Sequence, residues 1–401
     1  MSQVSQHSAA PAWQARADAT GALKGVRVVD LSRVLAGPLC TQMLADHGAD
    51  VIKIEPPFGD ETRQLGPPFD DNGIAAYYQA VNRGKRAFSL KLNTEEGRQI
   101  LLRLLEDADV LVENFLPGTM EKWRLGYESV LAPRFPRLVY CGISGFGATG
   151  PCGGQPGYDA VLQAMCGLMS INGTPESGPT RIGIPIVDHL TAYTAMAGII
   201  MALFHRERTG QAQRVETTLY DTALSLLIPH GSNWMQSGTA PQLLGSAHPN
   251  IAPYDSFQAS DGAVFLGILN DVQFTKFCQC IDRPALATDP RFASNAARLA
   301  NRNTLRTEIE AAFAGLRKAE LCQRLMGEGI PAAPVNTVPE ALEHPHARHR
   351  AMRVDRPGYK GLGIPIRLHR SPGSPGTNPP RFDEHADLRG GLSEPPSLHE
   401  V

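Results

Sequence analysis

Asp188 is the only carboxylate in the stretch GIPIVDHLTAYTAMAGIIMAL, residues 183–203. Two kinds of chemistry suit it. Asp is a preferred helix N-cap, and apolar residues at helical spacing begin directly after it. A carboxylate at a helix N-terminus also has its charge favoured by the helix dipole. An ionised Asp is the form that attacks an acyl carbon. Spacing alone leaves both readings open, the cap being the commoner role.

Other groups of reactive or charged residues stand further up the chain. NRGKR (82–86) brings Arg83, Lys85 and Arg86 together. It reads as a charged turn before a strand, or as a receiver of phosphate groups through charge-assisted hydrogen bonds. PFGDETR places Arg63 after a Gly-Asp turn, where a local surface ion pair is the plain reading. VENFLPG sets Asn114 and Phe115 just past a strand's carboxyl end. Ligands of open α/β sheets bind at that edge, and an amide with an aromatic ring suits a nucleotide base or a pantetheine arm. GFGATG (145–150) matches G-x-G-x-x-G, but PCGGQPG follows where a helix should open. A loop is expected there, which removes the dehydrogenase reading. HPHARHR (344–350) interleaves three histidines with arginines, a solvated basic face. The seven cysteines include no Cys-x-x-Cys pair. Neither a metal site nor a disulfide framework is expected.

These residues need elements to hold them. The chain has 401 residues, 42% of them hydrophobic, enough for more than one core. Lys plus Arg (38) nearly balance Asp plus Glu (40). No global field for nucleic acid or an acidic membrane follows from that balance. The N-terminus lacks a signal-peptide core, so 1–20 reads as a disordered tail and the protein as cytoplasmic. The apolar window at 192–204 is too short to span a bilayer. From residue 25, near-continuous apolar runs (GVRVVDLS, ADVIKIE, DVLVENF, RLVYCGISGF) alternate with helical stretches. That pattern predicts a Rossmann-like α/β domain with a parallel sheet over 21–225. Thr94 opens one of its helices as a cap. A smaller α+β domain is expected over 235–330. The Pro/Gly-rich segment 340–401 is expected to build no core of its own and to lie across the large domain.

Taken in order, LKGVRVVDLSRVLAGPLCTQMLADHGADVIKIEPPFGDETR, NRGKR, DVLVENFLPG, GYDAVLQAMCGLM and GIPIVDHLTAY resemble the class III CoA-transferases, the CaiB/BaiF family. The resemblance runs from about residue 23 to at least 226, and more weakly beyond. It implies an acyl-CoA:carboxylate CoA-transferase, built as an interlocked homodimer, with coenzyme A entering as acyl-CoA. It places the nucleophile on Asp188, with Tyr158 and Asp159 beside it. It places CoA contacts on Arg33, Val34, Leu35 and Ala36, and near Arg63, Lys85, Arg86, Asn114, Phe115 and Lys122. The family's aspartyl anhydride and aspartyl-CoA intermediates are implied too, with a short dicarboxylate such as succinate as donor. For the acids, Arg181 and His189 are candidate anchors. The family's glycine-rich lid falls on LLGSAHPNIAPY (243–254), which has a single glycine, Gly245. A stiffer lid is expected. Two rivals stand beside the transferase. An α-methylacyl-CoA racemase would need a histidine where this chain has Tyr158. A non-catalytic CoA-binding module would need no acid at 188.

Overall fold

The computed structural model describes Trp13 and residues 20–389. The expected tail at 1–20 otherwise lies outside the described residues. Trp13 departs from that expectation: it is buried, and its indole donates to Asp50 at 2.9 Å. The chain divides into two compact units. One draws on Met1–Cys166, Gly183–Leu226 and Pro345–Val401, the other on Gly167–Ile182 and Leu227–His344. Residues 167–182 therefore leave the large domain, which the sequence reading carried unbroken to 225.

The larger unit is built on six strands: β1 (Arg27–Asp30), β2 (Asp50–Glu55), β3 (Lys85–Ser89), β4 (Val110–Glu113), β5 (Val139–Ser144) and β6 (Arg214–Thr218). Every neighbouring pair is parallel, in the order β3-β2-β1-β4-β5-β6. Burial explains the near-continuous apolar runs, since β2 and β4 are buried at every residue. The order reverses between β1 and β4, the point where such sheets open a crevice for ligands. The helix Glu95–Leu105 covers one face through Ile100, Leu101, Leu104 and Leu105. Thr94 caps it, its side chain accepting from the Gly97 N–H. The segment after Pro345 packs within this unit. Asp383 accepts from the Ser89 N–H at 2.7 Å, and Gly84 donates to the Thr377 carbonyl at 2.9 Å.

The smaller unit has an antiparallel sheet of β7 (Tyr254–Ala259), β8 (Gly262–Gly267) and β9 (Ala332–Pro334). Phe257, Phe274, Phe277, Phe313 and Leu325 form its core, drawn from that sheet and three helices. The fully buried Arg298 bonds the carbonyls of Ala252 and Phe292 and the carboxylate of Asp271.

Candidate active site

Two loops meet at the switch point of the sheet. Arg33 follows β1 and Asn114 follows β4. The Asn114 side chain accepts from the Arg33 N–H at 2.8 Å and donates to the Arg33 carbonyl at 2.7 Å. Both backbone groups of one residue are thus held by one amide. Val34 comes next with φ of +67°. A β-branched residue in that region is strained, and such strain persists only where surrounding contacts impose it. Leu35 then starts the helix Ala36–Asp46 with no side-chain cap, so its first amides have no capping acceptor.

Beneath this loop lies a buried ionic layer. Lys53 pairs with Asp60 at 3.0 Å and donates to the Ser32 carbonyl. Lys85 pairs with Asp30 at 2.9 Å and donates to Asn82 and to the Pro38 carbonyl. Burial alone would raise the Asp30 pKa, but the ammonium groups of Lys85 and Lys53 and two hydroxyls hold it down to about 2.

Burial corrects two of the expected CoA contacts, Lys85 and Arg63. Lys85 is fully buried and saturated by its partners. Arg63 is buried too, bonded to both oxygens of Glu55, to the Tyr78 hydroxyl and to the Pro380 carbonyl. Buried charges must be paired in this way, which leaves Lys85 and Arg63 with no charge to offer a phosphate. Arg86 is half-buried and bonds both oxygens of Asp50 through one guanidinium nitrogen. Lys122 is exposed and one residue short of Trp123, which does line a cavity.

Two cavities open around the switch-point loop. The larger, about 490 Å³, is lined by Leu31, Ile54, Leu92, Phe115 and Trp123, with Arg33 and Lys91 as its cations. The smaller, about 260 Å³, is lined by Arg33–Ala36, Glu61, Asn114, Tyr158 and Asp188. Arg33 and Phe115 line both. The structure therefore brings Arg33, Val34, Leu35, Ala36, Asn114, Phe115, Tyr158 and Asp188 together around the smaller cavity.

Asp188 does not occupy the position expected of it. Residues 181–185 form no strand, and the helix begins at Ile186, three residues earlier than the capping reading requires. The cap is Asp159, whose carboxylate accepts from the Val187 N–H at 2.7 Å and the Asp188 N–H at 3.3 Å. Gln163 donates to the other oxygen of Asp159. Among the described residues no hydrogen bond or ion pair engages the Asp188 carboxylate. Burial, then repulsion from Asp159, pushes its pKa up to about 7. The helix dipole was expected to keep it ionised; burial beside a second acid outweighs that. Tyr158 is 69% exposed and lies at the same cavity.

The two candidate acid anchors lie in different units. His189 bonds back to the Pro185 carbonyl one turn earlier, and Arg181 belongs to the smaller unit. The segment 243–254 also belongs to that unit. There Gly245 donates to the Gly173 carbonyl, and Ser246 donates to Asp255. GFGATG runs as turns, and no helix opens before Asp159.

Sequence reasoning missed Phe58, Lys91, Leu92, Trp123 and Glu61 as lining residues. All but Trp123 follow β2 or β3, and the rule applied to the end of β4 would have found them there as well. Tyr77 was missed too. Burial and the charges of Asp188 and Asp159 push its pKa up to about 12, so it stays an O–H donor near both acids.

The fold and cavities define a doubly wound α/β protein with a ligand crevice at its switch point and an unpaired acid in that crevice. The family profile described as CoA-transferase family III matches residues 23–386. The chain is 42% identical over 379 residues to the succinyl-CoA:mesaconate CoA-transferase of Haloarcula hispanica, covering 91% of this chain and 94% of that one. It is 41% identical to the succinate–glutarate CoA-transferase of Agrobacterium fabrum, covering 86% of this chain and 87% of that one. A crystal structure of a CaiB/BaiF family protein from Brucella suis superposes with a TM-score of 0.83 at 41% identity, covering 93% of this chain and all of that one. The chain belongs to CoA-transferase family III, and it is a CoA-transferase acting on acyl-CoA thioesters.

Proposed function

We propose that this enzyme moves CoA from a short dicarboxylyl-CoA, succinyl-CoA above all, to a second carboxylic acid, with Asp188 as nucleophile. The names of the relatives support the choice of donor. The observation that carries the mechanism is the unpaired Asp188 carboxylate in the smaller cavity. The CoA nucleotide fits the larger, apolar cavity, with Phe115 and Trp123 beside the base and Lys91 for phosphate. The pantetheine arm then passes Phe115 toward Asp188.

An ionised Asp188 oxygen attacks the thioester carbon. The C–S bond breaks, leaving a mixed anhydride and CoA thiolate. The thiolate attacks the Asp188 carboxyl carbon, the anhydride C–O bond breaks, and the donor acid departs. The resulting aspartyl-CoA thioester is attacked by the acceptor carboxylate, and the steps reverse. Two easier covalent steps replace one hard exchange. A pKa near 7 leaves a usable fraction of Asp188 ionised and keeps that oxygen basic. The amides of Val187 and Asp188 already serve Asp159, so they are not the oxyanion donors. The uncapped start of the helix Ala36–Asp46 lines the same cavity and offers free amides instead.

Succinyl-CoA with hydroxylamine should leave a hydroxamate on Asp188, found by peptide mass spectrometry. Asp188→Ala should lose both the hydroxamate and transfer. Turnover retained in that variant overturns the assignment.

The functional particle is a homodimer in this reading. The helix Ile186–Thr209 is long and apolar enough to cross a membrane, yet only 39% of its apolar window is buried. Met201 and Phe204 stand 64% and 63% exposed on it. A second copy covers that face; a monomer by light scattering at micromolar concentration would refute this.

A further inference from the structure

Among the described residues lining the smaller cavity, Arg33 is the only cation, and Glu61 and Asp188 are the only acids. A dicarboxylyl group brought to Asp188 adds a further negative charge to that space. In a confined cavity an unpaired carboxylate is costly, so a cation must meet it. We propose that Arg33 is the specificity residue that reads the far carboxylate of the acyl group, a role that rests on the dicarboxylate reading above.

The local structure suits an exchange of partners. Arg33 pairs with Glu61 at 2.8 Å, and the two side chains are 32% and 50% exposed. A pair that exposed contributes little, so an incoming carboxylate displaces Glu61 at small cost. A guanidinium offers a planar fork that fits a carboxylate with two hydrogen bonds. The Asn114 clamp fixes the Arg33 backbone on both sides, and the guanidinium sits 5.7 Å from the Phe115 ring centroid. The base of the side chain is held while its tip trades one carboxylate for another. Glu61 marks the place the substrate takes: it holds the guanidinium in the free enzyme and is released when the acyl group arrives.

Arg33 also lines the larger cavity, so a CoA phosphate is the other anion within its reach. The experiment separates the two. Carboxypropyl-CoA and butyl-CoA thioethers differ only in the far carboxylate, and neither can acylate Asp188. Calorimetry on the wild type should show tighter binding of the carboxylated analogue by roughly tenfold or more. Arg33→Gln should erase that preference, and Arg33→Lys should keep part of it. A wild type that binds both equally overturns the proposal, even where succinyl-CoA labels Asp188. Equal losses on both analogues in Arg33→Gln also overturn it, because Arg33 then serves the CoA phosphates. The donor reading fails separately, when succinyl-CoA leaves no hydroxamate on the wild type.

Discussion

Two acids of the larger unit, Asp30 and Asp188, differ in nearly every respect except being carboxylates set away from water. Asp30 is fully buried, is held by Lys85, Ser32 and Thr41, and is pulled down to about 2. Asp188 faces a cavity, has no partner among the described residues, has Asp159 nearby, and is pushed up to about 7. The difference separates structural charge from chemical charge. A saturated acid holds a loop in place, and an unsaturated one retains its lone pairs for a substrate. The basic cluster divides along the same line. Lys85 and Arg86 pair with Asp30 and Asp50, while Arg33 keeps a half-exposed partner it can leave.

Breaking the structural side should give the largest loss of stability. Lys85→Met leaves Asp30 without its nearest ammonium, and about 3–5 kcal/mol of unfolding free energy should disappear. Urea denaturation measures it. A loss below about 1 kcal/mol would show that Lys53 alone satisfies Asp30.

The chemical side should respond in the opposite direction. The folded pKa of Asp188 lies near 7 and its ordinary value is 3.8. Between these values the unfolded chain has lost the proton that the folded chain keeps. Stability therefore falls as pH rises through that window, and the deficit is complete above pH 7. Asp188→Asn should be more stable than the wild type at pH 8, by at most about 4 kcal/mol, and equal to it near pH 4. Activity moves the other way. In the proposed mechanism the ionised form attacks, so the rate on succinyl-CoA should climb with pH through about 7 and then level off. A flat profile from pH 5 to 8 would contradict a raised Asp188.

Much of the fold could be read from local pattern. Strands buried on both faces read as continuous apolar runs, and the runs before Asp30, Glu55, Glu113 and Ser144 became neighbours in one parallel sheet. Thr94 with Glu95 and Glu96 marked its helix start. The site was legible only in part. Asn114 was noticed because it follows a strand, but its grip on Arg33 spans 81 residues of sequence. Asp159 stands 28 residues before Val187, so spacing could not name it as the cap. Lys85 looked like a phosphate ligand because a charge in sequence carries no label for burial.

The sequence by itself determined the alternation of strands and helices, the family, and the residue types available for chemistry. Those follow from short-range periodicity and from ordered motifs. Only the tertiary structure decided which charges are neutralised and which are free. That choice depends on partners brought together by the sheet order β3-β2-β1-β4-β5-β6, which joins the ends of β1 and β4 across some eighty residues of chain. Asp188 has no partner for its carboxylate among the described residues because Asp159 does the capping, and Arg33 has its backbone held by Asn114 while its guanidinium pairs with the half-exposed Glu61.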